Sequence, residues 1–116
     1  MRFMLLFAAD EQEWLELPEG ERDEAIRGIG EWFMRHAQAG TIVEGHRLSR
    51  ARAARTLRLG RAGRSSKPVV VDGPFVEGKE AIGSYAVVDV ADEGAAMDVA
   101  SSWPAGGSVE VRPLME

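Results

Sequence analysis

The segment Arg2-Phe3-Met4-Leu5-Leu6-Phe7-Ala8-Ala9 is apolar on both of its alternating faces. Successive side chains of an extended strand point to opposite sides, so Phe3, Leu5 and Phe7 share one face and Met4, Leu6 and Ala8 the other. A strand of this kind has to be covered on both sides. Helices of the same chain can cover one face of the sheet it joins. A chain of 116 residues builds one hydrophobic core and one domain, spanning 1–116. The other face therefore calls for a layer from another subunit, and the pattern predicts a homodimer.

The rest of the chain supplies the covering elements. Leu17-Pro18-Glu19 opens a helix, with proline suited to the first turn and acids complementing the helix dipole. Ala25, Ile26, Ile29, Trp32, Phe33 and His36 recur at helical spacing as an apolar stripe, opposite Glu24, Arg27, Glu31 and Arg35. The helix ends near Ala39-Gly40. Thr41 to Glu44 reads as a strand running on into Gly45-His46-Arg47-Leu48. Residues 54–59 alternate arginine with apolar or small residues, as a half-exposed strand does. Gly60 to Ser66 reads as a hairpin connection, and Pro68 to Val71 returns as a strand ending at Asp72. Ser84 to Val90 is a further strand. Asp92 is a candidate N-cap for a short helix with Ala96, Val99, Ala100 and Trp103 on its buried side, stopped by Pro104, Gly106 and Gly107. Val109 and Val111 mark a last alternating strand before Pro113. The order β-α-β-(ββ)-β-α-β is an α+β, ferredoxin-like antiparallel sheet with two helices on one face and an extra β-hairpin.

Several function classes are excluded at this level. Without cysteine there is no disulfide scaffold, thiolate metal site or cysteine nucleophile. Two histidines ten residues apart and no spaced carboxylate cluster leave no metal-ligand set, and nothing calls for a cofactor. No apolar run approaches the ~18 residues of a membrane span. The opening MRFMLLFAADE reads as a strand and not as a signal peptide, and the chain reads as cytoplasmic.

The net charge of −5 conceals an asymmetry: Arg47 to Lys67 holds seven Arg, one Lys and no acid, so this segment carries +8 and the remainder −13. Such a block suits a phosphate or an acidic protein partner, or is a solvated basic hairpin. No aromatic is interleaved for base stacking, which argues against nucleic acid. Gly60 to Ser66 superficially resembles a phosphate-binding loop, but its spacing is wrong and no helix follows.

Candidate chemistry centres on Asp72-Gly73-Pro74-Phe75. Glycine opens backbone conformations closed to other residues, and proline fixes its own φ and restrains its predecessor, so together they form a rigid corner after a strand. Asp72 can be consumed by that corner, accepting from its amides as in an Asx-turn. Alternatively the corner aims Asp72 into a cleft as a general base with Phe75 as an apolar wall, a use that requires burial to raise its basicity. Lys79 and Glu80, being adjacent, need not pair with each other; a solvated or intersubunit ion pair is one use, a ligand contact by Lys79 another. Tyr85 either presents its hydroxyl to the same cleft or is a core aromatic with its hydroxyl satisfied. His36, within the apolar stripe, reads as a packed, hydrogen-bonded core residue, which leaves His46 as the better acid/base histidine. Arg112 can orient a polar or anionic ligand.

Asp72-Gly73-Pro74-Phe75, followed by Lys79-Glu80, Gly83 and Tyr85, resembles the signature of the DGPF-domain proteins, a branch of the YCII-related family. The MRFMLLFAADE opening, the GSVEVRPLME ending and the chain length fit it, so the resemblance spans essentially the whole chain. Gly78 and Ser84 depart from it, standing where threonine and a second glycine are usual. The resemblance implies a dimeric α+β barrel, two ferredoxin-like sheets face to face, similar in fold to muconolactone isomerase. It also implies proximity to genes for extracytoplasmic-function sigma factors and, from related YCII proteins, a His–Asp pair in a cleft. Two functions follow as expectations. One is a small enzyme or small-molecule binder with a cleft between sheet and helices, with Asp72 and His46 as acid/base and Phe75, Lys79, Tyr85 and Arg112 lining the ligand. The other is a non-catalytic accessory partner in sigma-factor regulation, using the Arg47–Lys67 segment.

Overall fold

The structure, a computed structural model, describes residues 1–61, 67–76 and 78–116. Most of the 60–66 connection and Glu77 thus lie outside the described residues. Six strands and three helices follow one another as β1 (Arg2–Asp10), α1 (Glu11–Glu16), α2 (Glu19–Gln38), β2 (Ile42–Arg47), β3 (Arg55–Arg58), β4 (Val69–Asp72), β5 (Glu80–Asp89), α3 (Glu93–Ser101) and β6 (Ser108–Pro113). A 3₁₀ turn, Ala51–Ala53, stands between β2 and β3. Four strands form an antiparallel sheet in the order β2-β5-β1-β6, while β3 and β4 form a separate two-stranded sheet. This is the α+β, ferredoxin-like plan with an added hairpin.

The two faces of β1 part as its pattern requires. Phe3, Leu5 and Phe7 are buried together with their β5 neighbours Val88, Ala86 and Ser84, under Trp32 of α2 and Ala96 and Ala100 of α3. Each large side chain buried in this way contributes about 1.5–3 kcal/mol. Trp32 is the hub: its ring meets Phe7, Phe33 and Trp103 edge to face, and its indole N–H donates to Ser102 Oγ at 2.8 Å. Edge-to-face packing sets the positive ring edge against a negative ring face. At Gly45 the sheet and α2 approach closely, since a Cβ there would stand 2.7 Å from Phe33 Cε1 and 3.0 Å from the Tyr85 carbonyl oxygen.

The molecule measures 47 × 41 × 19 Å, and the short dimension is the thickness of one sheet and one helical layer. Among the described residues no helix or strand packs over the second face of the sheet. The radius of gyration, 16.4 Å, exceeds the ~13 Å of a compact chain of this length, because the β3–β4 hairpin is not hydrogen-bonded into the main sheet. Its Leu57, Val69 and Val70 are more than half exposed.

Three local differences from the sequence reading have simple causes. Helix α1 was not expected; Asp10 caps it, its Oδ1 accepting from the amides of Gln12 and Glu13 at 2.9 and 3.2 Å. Asp10 followed by Glu13 is the capping signal that marks it. Strand β5 begins at Glu80, four residues before Ser84, because Ile82, Ala81 and Glu80 continue the ladder opposite Ala8 to Asp10 beyond a bulge. Pro18 is the N-cap of α2, one position outside its first turn. The Asp92 cap is as expected, with Oδ1 accepting from the Ala95 amide at 2.8 Å.

Candidate functional site

Strand register assembles a polar cluster on the uncovered face of the sheet. One row across the four strands reads His46, Tyr85, Leu6, Glu110, and the next Glu44, Val87, Met4, Arg112. The centre of both rows is apolar: Val87 is buried between its neighbours, and Met4, Leu6 and Tyr85 are half-buried. The edges are charged. On β6, Arg112 pairs with Glu110. On β2, Glu44 Oε1 accepts a hydrogen bond from the Tyr85 hydroxyl at 2.8 Å, and the His46 ring lies 5.9 Å from the Tyr85 ring between centroids. The Glu44 carboxylate bound to the phenol holds its pKa above the ordinary tyrosine value, and desolvation acts in the same direction. Tyr85 is therefore protonated at neutral pH, as a hydrogen-bond donor or an acid and not as a phenolate. Histidine beside a carboxylate–phenol pair is a set of groups able to accept and return a proton.

The structure brings together His46 and Tyr85 and places Arg112 on the same face at the opposite edge. It does not bring Asp72 to them. Asp72 ends β4 in the separate hairpin, is 91% exposed, and meets Arg55 Nε of β3 at 3.5 Å. The corner itself is rigid, as glycine and proline chemistry requires. Gly73 has φ 102°, a region open to glycine alone among common residues. Its amide, however, donates to the Ala54 carbonyl at 2.8 Å, and its carbonyl accepts from Thr56 Oγ1 at 2.8 Å. The adjoining strand β3 offers those partners at the right register, so among the described residues Asp72 bonds to Arg55 in place of its own turn. Phe75, directly after the corner, is 80% exposed and walls no enclosed space.

Lys79 and Glu80 diverge. Lys79 Nζ lies 3.9 Å from Asp10 Oδ2, and Glu80 accepts from Ser108 Oγ at 3.2 Å, so each ties the start of β5 to a different neighbour. His36 packs its ring against Trp32 at 4.8 Å between centroids, with Nε2 3.3 Å from Ser102 Oγ. Burial, and then the neighbouring Arg35 charge, lower its pKa. It is the packed histidine the apolar stripe implied. Among the described residues no three His, Asp or Glu side chains gather as a metal-ion set, and no helix is long and apolar enough to cross a membrane.

Glu44 is the member of the cluster that the sequence reading passed over. The signal was present: Glu44 and His46 are two apart in a strand and so share a face. What no local pattern shows is that Tyr85, 41 residues from Glu44, pairs opposite His46.

The YCII-related domain family model matches residues 1–116. An uncharacterised protein of Rhizobium meliloti (strain 1021), R00369, is 30% identical over 118 aligned residues, which cover 98% of this chain and 92% of that protein. The chain belongs to the YCII-related family.

Proposed function

We propose that this YCII-related protein acts as a homodimer whose sheets meet by their open faces, and that it binds a small polar ligand there with proton-transfer capacity in His46, Glu44 and Tyr85. The observation that carries the reading is the Tyr85–Glu44 hydrogen bond, 2.8 Å, beside His46 on an otherwise apolar uncovered face. A face meant only for water has no need of Met4, Leu6 and Val87, whereas an apolar centre with a charged rim is the anatomy of a protein interface. Covering the face would lower the local dielectric around the cluster and strengthen its hydrogen bonds. In this reading Arg112 orients the ligand from the rim, and Asp72 with Arg55 and Phe75 shape the hairpin, leaving acid/base work to His46. Lys79 steadies the end of β1 through Asp10.

A metabolite thermal-shift screen tests it. Ligands that raise the melting temperature of the native protein are expected to lose that effect in His46→Ala and Tyr85→Phe, with the unliganded melting temperature retained, and to keep it in Asp72→Asn. Hits that ignore both open-face variants, or that depend on Asp72 instead, would sink the reading.

The hairpin favours a second reading, a non-catalytic partner-binding role of the kind the sigma-factor association suggests. Two strands alone are marginally stable in water, and this pair exposes Leu57, Val69 and Val70 next to Arg55 and Arg58. An acidic protein surface complements that chemistry. Capture of an acidic partner that is lost on neutralising Arg55, Arg58 and Arg61, with no small-molecule hit in the screen, would favour this role over the first.

A further inference from the structure

The helical face of the sheet holds a second feature, on the opposite side from the cluster above. Where β1 ends and α1 turns away, a hollow of about 140 Å³ opens between the sheet and the helices. Its floor is Phe7, Ile29 and Ser84, each no more than 5% exposed. Its walls are the indoles of Trp14 and Trp103 and the side chain of Leu15. Trp103 stacks on Phe7 with ring centroids 3.8 Å apart, so the aromatic wall is fixed in place. The far side is closed by Glu11, whose Oε1 accepts from the Ala51 amide at 2.7 Å, and by the Leu48 amide, which donates to the Gly83 carbonyl at 2.8 Å.

Arg47 and Arg50 line the same hollow. Arg47 sits directly opposite Ser84 in the β2–β5 ladder and on its face. Among the described residues neither guanidinium has a carboxylate partner, whereas Arg55 and Arg112 do. Glu11 is the one acid in the lining, so two guanidinium groups face one carboxylate and the lining carries a net positive charge. The Ser84 hydroxyl donates to its neighbour, the Gly83 carbonyl, at 2.8 Å, and its lone pairs meet no donor among the described residues.

We propose that this hollow is a binding site for a single-ring aromatic carboxylate, with the ring between Trp14, Leu15 and Trp103 and the carboxylate on Arg47 and Arg50. Size selects the ring: an apolar protein cavity of ~150 Å³ accommodates benzene. Aromatic walls favour offset or edge contact with another ring over an aliphatic chain. Planar guanidinium groups at the mouth match a carboxylate through paired N–H donors. The proposal stands independently of the open-face reading, because no residue of that cluster lines this hollow.

Benzoate is the probe, titrated into the full-length protein and followed by calorimetry and by tryptophan fluorescence, since two of the three tryptophans line the site. A dissociation constant of about 0.1–1 mM is expected for so small a ligand. Benzyl alcohol, which keeps the ring and lacks the charge, should bind at least ~10-fold more weakly, as should benzoate to the Arg47→Gln/Arg50→Gln variant. Both arginines are exposed, so that variant retains its melting temperature. Leu15→Trp, which fills the mouth from an exposed helix position, should abolish binding. His46→Ala should bind benzoate as the native protein does, which separates this site from the open face. Absence of saturable binding at about 10 mM benzoate, or equal affinity in the double arginine variant, would overturn the proposal. A short aliphatic acid that binds as tightly as benzoate would overturn the assignment of ligand class.

Discussion

Leu6→Lys separates the two sides of the sheet. Leu6 lies on a central strand, on the open face, between Tyr85 and Glu110 in one cross-strand row. In the isolated protomer its side chain is only half-buried, and a lysine there faces water with a carboxylate, Glu110, directly across the ladder. Opposite charges so placed contribute about 0.2–1 kcal/mol, which offsets part of the apolar area lost. The protomer should fold, with a change of at most about 1 kcal/mol. Against a second copy the sum differs. The lost leucine burial costs about 2 kcal/mol, and an ammonium group taken out of water adds about 3 kcal/mol. An isologous interface repeats every substitution on both partners, so the dimer loses about 10 kcal/mol. A dimer with a dissociation constant of ~1 μM rests on about 8 kcal/mol, so it would vanish at any practical concentration. Sedimentation velocity reads the result, with circular dichroism confirming the fold. A native protein that sediments as a monomer at about 10 μM, or a Leu6→Lys variant that remains dimeric, refutes the reasoning from the open apolar face.

The covered side makes different predictions. Trp32→Ala empties the centre of the aromatic cluster and removes the indole N–H that donates to Ser102, and should cost about 3–5 kcal/mol, a fall in melting temperature of more than ~10 °C by calorimetry. Gly45→Ala drives a methyl group into the Phe33 ring and should destabilise by about 1–3 kcal/mol; a denaturant midpoint at or above that of the native protein would contradict the close approach of α2 and β2. His36 has a folded-state pKa below its unfolded value, so the unfolded chain binds the extra proton and acidification favours unfolding. The stability tied to His36 is therefore present above its unfolded pKa and lost as pH falls through the lowered folded value. Melting temperature measured from pH 7.5 downward should drop less steeply in His36→Gln than in the native protein, and parallel profiles would count against the packed, neutral ring.

What the sequence by itself determined is what lives in short-range periodicity and local capping. The two-faced pattern of β1, the apolar stripe from Ala25 to His36 and the Asp92 cap each involve residues within a few positions of one another. Their physical basis, strand alternation, helical repeat and amide capping, operates before any tertiary contact forms. The rigid Gly73-Pro74 corner belongs to the same class, although the sequence alone left the use of Asp72 open between its own turn and a cleft. Only the tertiary structure decided that Arg55 takes that carboxylate, because the choice depended on which strand lies alongside. It likewise decided that His46, Tyr85 and Glu44 form one cluster and that Arg47 stands over Ser84. Those groupings depend on strand register, and a shift of one residue would send each side chain to the other face. Register is set by burying Phe3, Leu5 and Phe7 against Ala86 and Val88, so the site is positioned by the core on the far side of its own sheet.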